Sequence, residues 1–304
     1  MLLAFMSAIL FSISVVSGHR SAKLIGGTEA NFWRQACATL MLGIWAYAFG
    51  IGLGGDAFPM FLLSGVVGIG IGDLGLFQAL PRLGSRLSLL IIQCLSAPLG
   101  ALIEWLWLGT PLRFFQVMWG IIILTGVGIA LAPSKHLNLT PRATVNGALF
   151  AILGAIGNSV GAVLSRKAYA ISHAAHQPIS GANAAFQRIV GGLFLAGICL
   201  LVVRRGDFRF RPAGPDETDH TRNKWRKVGL WVAVNALAGQ TLGVSCMQRA
   251  FETTPTGVVL SIIATTPIVV MPLAYLLEGE TPLRHAIVGG FIAVAGVIGL
   301  ITMR

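Results

Sequence analysis

One aspartate, Asp73, stands in the apolar stretch Ile71-Gly72-Asp73-Leu74-Gly75, several residues from either end of the helix that the stretch predicts. An ionised carboxylate in the middle of a membrane-length apolar helix costs at least about 2.5–3.5 kcal/mol on insertion scales. Such a group faces a wet cavity, pairs with another polar group, or holds a proton. No Lys or Arg falls in the expected mid-membrane region of any apolar run, so a fixed ion partner is not anticipated. A proton, a cationic substrate group or water is then the compensating species, and Asp73 is the candidate coupling residue. The alternative is a structural Asp bonded to a neighbouring helix. Glu104, between Ile103 and Trp105, lies nearer a helix end, where an interfacial role and a functional one both stand.

Neutral polar residues form a second set. Gly154, Asn158, Gly161 and Ser165 recur on one helix face. Gln93, Asn235, Gln240, Thr241, Thr265 and Thr266 also interrupt apolar runs, and each could contact a ligand or tie one helix to another. The candidate substrate cavity comprises Asp73, Gln93, Asn158, Gln240, Thr241, Thr265 and Thr266. Pro98 and Pro267 free backbone carbonyls inside apolar runs, which is tolerated where the backbone packs on protein or lines a cavity.

Other chemistries lack their residues. His173 and His176 have no acidic or Cys ligand nearby, so no metal site is expected. Gly68-Ile69-Gly70-Ile71-Gly72 has no strand pattern and no following Lys. With Gly65, Gly75 and Ala79 it reads as a small-residue seam between helices. Cys37, Cys94, Cys199 and Cys246 all sit in apolar runs without CxxC spacing, which argues against zinc and disulfides. No catalytic residue set appears, so the chain is read as a non-enzyme without cofactors.

The elements that must hold these residues follow from composition. Hydrophobic residues make up 55% of the chain, charged residues 11%, and mean hydropathy is +0.78. Soluble domains carry about 25% charged residues, so this is a polytopic membrane protein. The net charge of +11 gathers in loops and reads as topogenic charge; nucleic acid is excluded as a partner. The N-terminal run lacks a basic flank and a clear cleavage site, and is read as a retained, short first span.

Apolar runs predict helices over Leu2–Ser17, Ala30–Leu53, Phe58–Leu80, Leu87–Leu108, Phe115–Leu131, Val145–Leu164, Ala184–Val203, Val228–Gln248, Gly257–Leu277 and Ala286–Ile301. Thr-Pro-Leu-Arg closes a hinge in each half, at Arg113 and Arg284, 171 positions apart. Pro98 answers Pro267, and Gly126-Val127 answers Gly296-Val297. The chain therefore reads as an internal duplication: residues 1–133, a linker 134–144, and residues 145–304. A repeat of five spans is odd, so the second half enters the membrane inverted.

Three features carry a resemblance to the drug/metabolite transporter superfamily, in its ten-helix EamA-like branch. They are Arg34 and Arg188 early in corresponding helices, Gln78-Ala79-Leu80 with Gln248-Arg249-Ala250, and the block Pro267…Gly279-Glu280. The first half departs at Thr110, where Glu would stand. The resemblance implies an all-α membrane protein of ten transmembrane helices in two inverted five-helix repeats. Its central cavity is lined by helices one, three, four, six, eight and nine, and Arg34, Arg188, Pro98, Pro267, Gly279 and Glu280 are structural. The implied activity is secondary transport of a small metabolite by alternating access, with protons as coupling partner. The bilayer is the other partner, a homodimer is allowed, and the expected location is the cell (inner) membrane. Helix one offers Ser7, Ser12 and Ser14 and no acid, unlike the small multidrug exporters. The competing functions are a membrane-embedded enzyme on a lipid-linked substrate and a non-transporting scaffold.

Loop Lys and Arg number fifteen on one side and five on the other, which puts the basic side in the cytoplasm and the termini outside. The resemblance implies the opposite. The Arg204–Lys227 loop decides the count; it reads as a topogenic linker, with anionic lipid as the alternative ligand.

Overall fold

The computed structural model describes residues 2–108, 114–130, 141–204, 225, 228–253, 256–278 and 284–302. Gly279 and Glu280, the hinge 109–113 and the loop 205–224 lie outside the described residues, as does the Glu104 side chain.

Every regular element among the described residues is helical. In order these are α1 (Leu2–Ile25), α2 (Gly27–Phe49), α3 (Phe58–Gly65), a π turn over Val66–Ile71, α4 (Gly72–Leu108), α5 (Phe114–Ala130), α6 (Pro141–Ala174) and α7 (Gly181–Arg204). Helical residues 228–235 then lead into a second π turn, Ala236–Gly243. After it come α8 (Val244–Thr253), α9 (Thr256–Ile263), α10 (Thr266–Glu278) and α11 (Arg284–Thr302). Five stretches are long and apolar enough to cross a bilayer: Leu2–Ile25, Phe58–Gly100, Ala143–Ala174, Gly181–Val203 and Val228–Glu252. Shorter apolar helices, Val117–Ile129, Thr266–Leu277 and Ile287–Gly299, accompany them.

Several boundaries move from those expected, each for a local reason. The first helix continues past Ser17 to Ile25, and its added turns carry Ser21, whose hydroxyl donates to Gly18 O at 2.9 Å. Arg20 donates to the carbonyl of Leu277 and lies 4.4 Å from the centre of the Trp231 ring. The helix expected over Gly257–Leu277 is interrupted at residues 264–265, just before Pro267. Pro267 has no N–H for the carbonyl of Ile263. The Thr266 hydroxyl donates to that carbonyl instead, and the Thr265 hydroxyl donates to Ile262 O at 2.6 Å. Within α4, Gly84 takes φ 80° and ψ 172°, a backbone region open essentially to glycine alone. Helical geometry therefore fails between Leu80 and Leu87, where the sequence predicts the gap.

Contacts between the halves are reciprocal. A Cβ on Gly126 would come within 2.5 Å of Ala293 N, and one on Gly296 within 3.1 Å of Ile123 N. Gly126 and Gly296 are repeat equivalents, and so are Ile123 and Ala293. Within each half a matching contact recurs: Gly27 packs on the backbone of Phe77 and Gln78, and Gly181 on the backbone of Ser245 and Arg249. Such paired contacts fit two related halves meeting about a two-fold axis. The π turns obey the same relation: Val66–Ile71 advanced by 171 positions falls within Ala236–Gly243. Large apolar side chains such as Leu40, Ile44, Phe194, Leu201 and Leu276 remain exposed on the outside, as a lipid-facing surface requires.

Candidate substrate cavity

The site begins with one face of α2. Asn31, Arg34, Gln35, Ala38, Leu42 and Ala46 are all buried, at helical spacing. Because α2 starts at Gly27, Arg34 stands two turns inside the helix and is only 3% exposed. The Oδ1 of Asn31 accepts from Arg34 Nη2 at 3.1 Å and from Gln35 Nε2 at 3.0 Å, which fixes the guanidinium. The same group lies 4.6 Å from the centre of the Phe77 ring.

Asp73 occupies the first turn of α4, directly after the π turn Val66–Ile71. Single π turns recur at functional sites because they rotate the following residues out of regular register. The Asp73 Oδ2 meets Arg34 Nη2 at 2.5 Å and accepts from Gln240 Nε2 at 2.7 Å. The expectation that Asp73 has no cationic partner is thus corrected. Arg34 is a mid-helix residue, and the charge pair with its hydrogen bonds offsets the burial of both ions. Gln240 belongs to the second π turn, so each half of the chain delivers one member of the cluster from a π turn or its edge.

Arg188, on α7, brings another buried guanidinium to the site, 3% exposed. Its Nε donates to Ser64 Oγ at 2.9 Å. The Ser64 hydroxyl donates in turn to Gly161 O at 2.7 Å and bonds Ser165 Oγ at 2.8 Å. Arg188 Nη1 is buried with no hydrogen-bond partner.

These groups line a cavity of about 90 Å³. Among the described residues, Arg34, Asp73 and Arg188 are its charged groups, and Gln93, Asn158, Asn235 and Gln240 its amides. Asn158 Nδ2 donates to Ser96 Oγ at 3.1 Å, and Ser14 Oγ donates to Asn235 Oδ1 at 2.8 Å. Phe11, Phe77, Leu260 and Ile263 supply apolar wall.

Of the residues singled out in the sequence, Asp73, Gln93, Asn158 and Gln240 meet here. Thr241 points instead to Met41, with Oγ1 3.8 Å from the sulfur. Thr265 and Thr266 turn their hydroxyls to backbone carbonyls and do not line the cavity. Pro267 is buried in the first turn of α10, and Pro98 is half-buried inside α4, facing Gly120. Sequence reasoning assigned Arg34 and Arg188 to structure alone and omitted their helices from the cavity wall. A signal was present: Asn31/Arg34/Gln35 and Asn183/Gln187/Arg188 are polar clusters on single helix faces in a chain otherwise poor in polar residues. Among the described residues no three His, Cys, Asp or Glu side chains gather as a metal site would require.

The fold and this cavity define a multi-pass integral membrane protein with charged side chains around an interior cavity. The profile of the EamA-like transporter family matches residues 1–132 and again residues 145–302, and the chain belongs to that family, within the drug/metabolite transporter superfamily. Its members are typically membrane transporters of small molecules, and the doubled match fits an inverted repeat. Solved structures share the fold. One, a crystal structure of a protein 17% identical to this chain, aligns over 98% of this chain and 96% of its own with a TM-score of 0.59. No curated protein matches the chain.

Proposed function

We propose that the chain is a ten-helix, proton-coupled secondary transporter of the cell (inner) membrane that moves a small metabolite by alternating access between two inverted five-helix repeats. The observation that carries this reading is the Arg34–Asp73–Gln240 cluster. It joins α2 and α4 of the first half to the π turn of the second half inside a buried cavity. Rocking of one half against the other would part Gln240 from Asp73. A proton on Asp73 would neutralise the carboxylate, weaken its hold on Arg34, and couple that motion to the proton gradient.

Gln93, on the cavity wall, provides the test. A single cysteine at Gln93, with Cys37, Cys94, Cys199 and Cys246 replaced, should react with an impermeant maleimide from either side of the membrane. Conditions that favour labelling from one side should protect it from the other. Reactivity confined to one side under all conditions would favour the scaffold.

A further inference from the structure

The charges of the cavity do not cancel. Among the described residues its lining holds two guanidiniums, Arg34 and Arg188, against one carboxylate, Asp73. Asp73 makes its contact with Arg34, which is also held by Asn31. Arg188 has a neutral partner, Ser64, on its Nε, and its Nη1 is buried and unpaired. An arginine in a protein stays charged. A buried guanidinium with an unused N–H pair is stable only with an anion or water to complete it. A second donor is also unpaired: Asn235 Nδ2 is buried, while its Oδ1 accepts from Ser14. Arg188 and Asn235 belong to different helices of the second half, yet both line the same cavity as Phe11 and Phe77.

Resting on the transporter reading and deepening it, we propose that the cavity takes a small monoanion, a carboxylate, with Arg188 as its anchor and Asn235 as a second donor. Planar guanidinium and carboxylate groups match in a two-bond geometry, which a neutral amide of the same shape cannot reproduce with equal strength. Asp73 excludes a second negative charge, because a dianion would bring like charges together in a site of low dielectric. The Phe and Leu walls favour an anion with an apolar remainder.

The test measures binding to the detergent-solubilised full-length protein by titration calorimetry. The probes are acetate, lactate, butyrate and benzoate, each paired with its neutral amide. At least one acid should bind at least about tenfold more tightly than its amide, a difference of about 1.4 kcal/mol. That preference should vanish in Arg188→Gln and persist in Arg188→Lys. Asn235→Asp, which adds a carboxylate to the cavity and keeps Arg188, should abolish acid binding even if Arg188→Gln fails to fold. Equal binding of acids and amides, no binding of any acid, or acid binding that survives Asn235→Asp would overturn the proposal. Flux in proteoliposomes separates the two readings. An acid that binds but never crosses would refute transport and leave the anion site. A neutral amide or an amine that crosses while the acids do not would refute the anion site and leave transport.

Discussion

Arg34 Nη2 and Asp73 Oδ2 stand 2.5 Å apart across the seam between α2 and α4, both side chains largely withdrawn from solvent. Two ions are compensated together there, so loss of either strands the other. Breaking a buried pair by removing one partner costs about 3–5 kcal/mol, whereas replacing both with apolar groups is often near neutral. Asp73→Leu alone and Arg34→Met alone should each lower the thermal midpoint of the purified protein clearly. The double variant should lie closer to wild type than either single one. If the double loss equalled the sum of the single losses, the two residues would be energetically independent.

Two glycines of α5 separate packing from propensity. Gly126 faces the second half so closely that a Cβ would reach 2.5 Å from Ala293 N and 2.7 Å from Gly289 O. Gly128, two residues on, has nothing within 4 Å of a built Cβ. Gly126→Ala should destabilise by forcing two helix backbones apart, with a lower yield of folded protein. Gly128→Ala should be neutral or gain up to about 1 kcal/mol from helix propensity. Equal behaviour of the two variants would show that α5 and α11 do not meet at this seam.

The same seam shows how far the sequence alone could carry the fold. The displacement of 171 positions, the paired prolines and Gly126 answering Gly296 were legible, because duplication preserves residues that sit at helix–helix contacts. The π turns were not legible: Val-Val-Gly-Ile-Gly-Ile and Ala-Leu-Ala-Gly-Gln-Thr-Leu-Gly have no local residue that demands an extra residue per turn. In the site, Asp73, Gln93, Asn158 and Gln240 stood out as polar residues in apolar helices. Arg34 reads as an early residue of its helix because apolarity marks a start at Ala30, whereas helical hydrogen bonding begins α2 at Gly27. The threonines before Pro267 read as ligand contacts when their hydroxyls complete the backbone. Side-chain direction at a broken helix depends on which carbonyl the proline leaves free, and composition does not encode that direction.

Thr266 supplies a prediction from that backbone repair. Its hydroxyl donates to Ile263 O, the carbonyl that Pro267 leaves without an N–H. Thr266→Val keeps the shape and strands the carbonyl, at a cost of about 1–3 kcal/mol for a buried unsatisfied group. Folded yield and thermal midpoint should fall, with binding per folded molecule unchanged. Thr241→Val, which loses only a contact to the Met41 sulfur, should be silent in both measurements. A loss of ligand affinity at Thr266 without a loss of stability would return that residue to the site.

Asp73 itself carries the riskiest expectation. Asparagine has nearly the same size and keeps an oxygen for Gln240 and Arg34, but it cannot take up or release a proton. Asp73→Asn therefore fixes the cluster in the uncharged condition that a bound proton would otherwise create. A coupled transporter so altered still exchanges substrate across the membrane, because the cavity can still alternate. It does not concentrate substrate against a gradient, because no proton moves with each cycle. In proteoliposomes with an imposed pH gradient, Asp73→Asn should retain exchange while accumulation disappears, and Asp73→Glu should keep some of both. Arg34 should matter differently: Arg34→Lys preserves a cation beside the carboxylate and should retain accumulation in part. Undiminished accumulation by Asp73→Asn across the working pH range would remove Asp73 from coupling and leave it as the hydrogen-bonded link between Arg34 and Gln240.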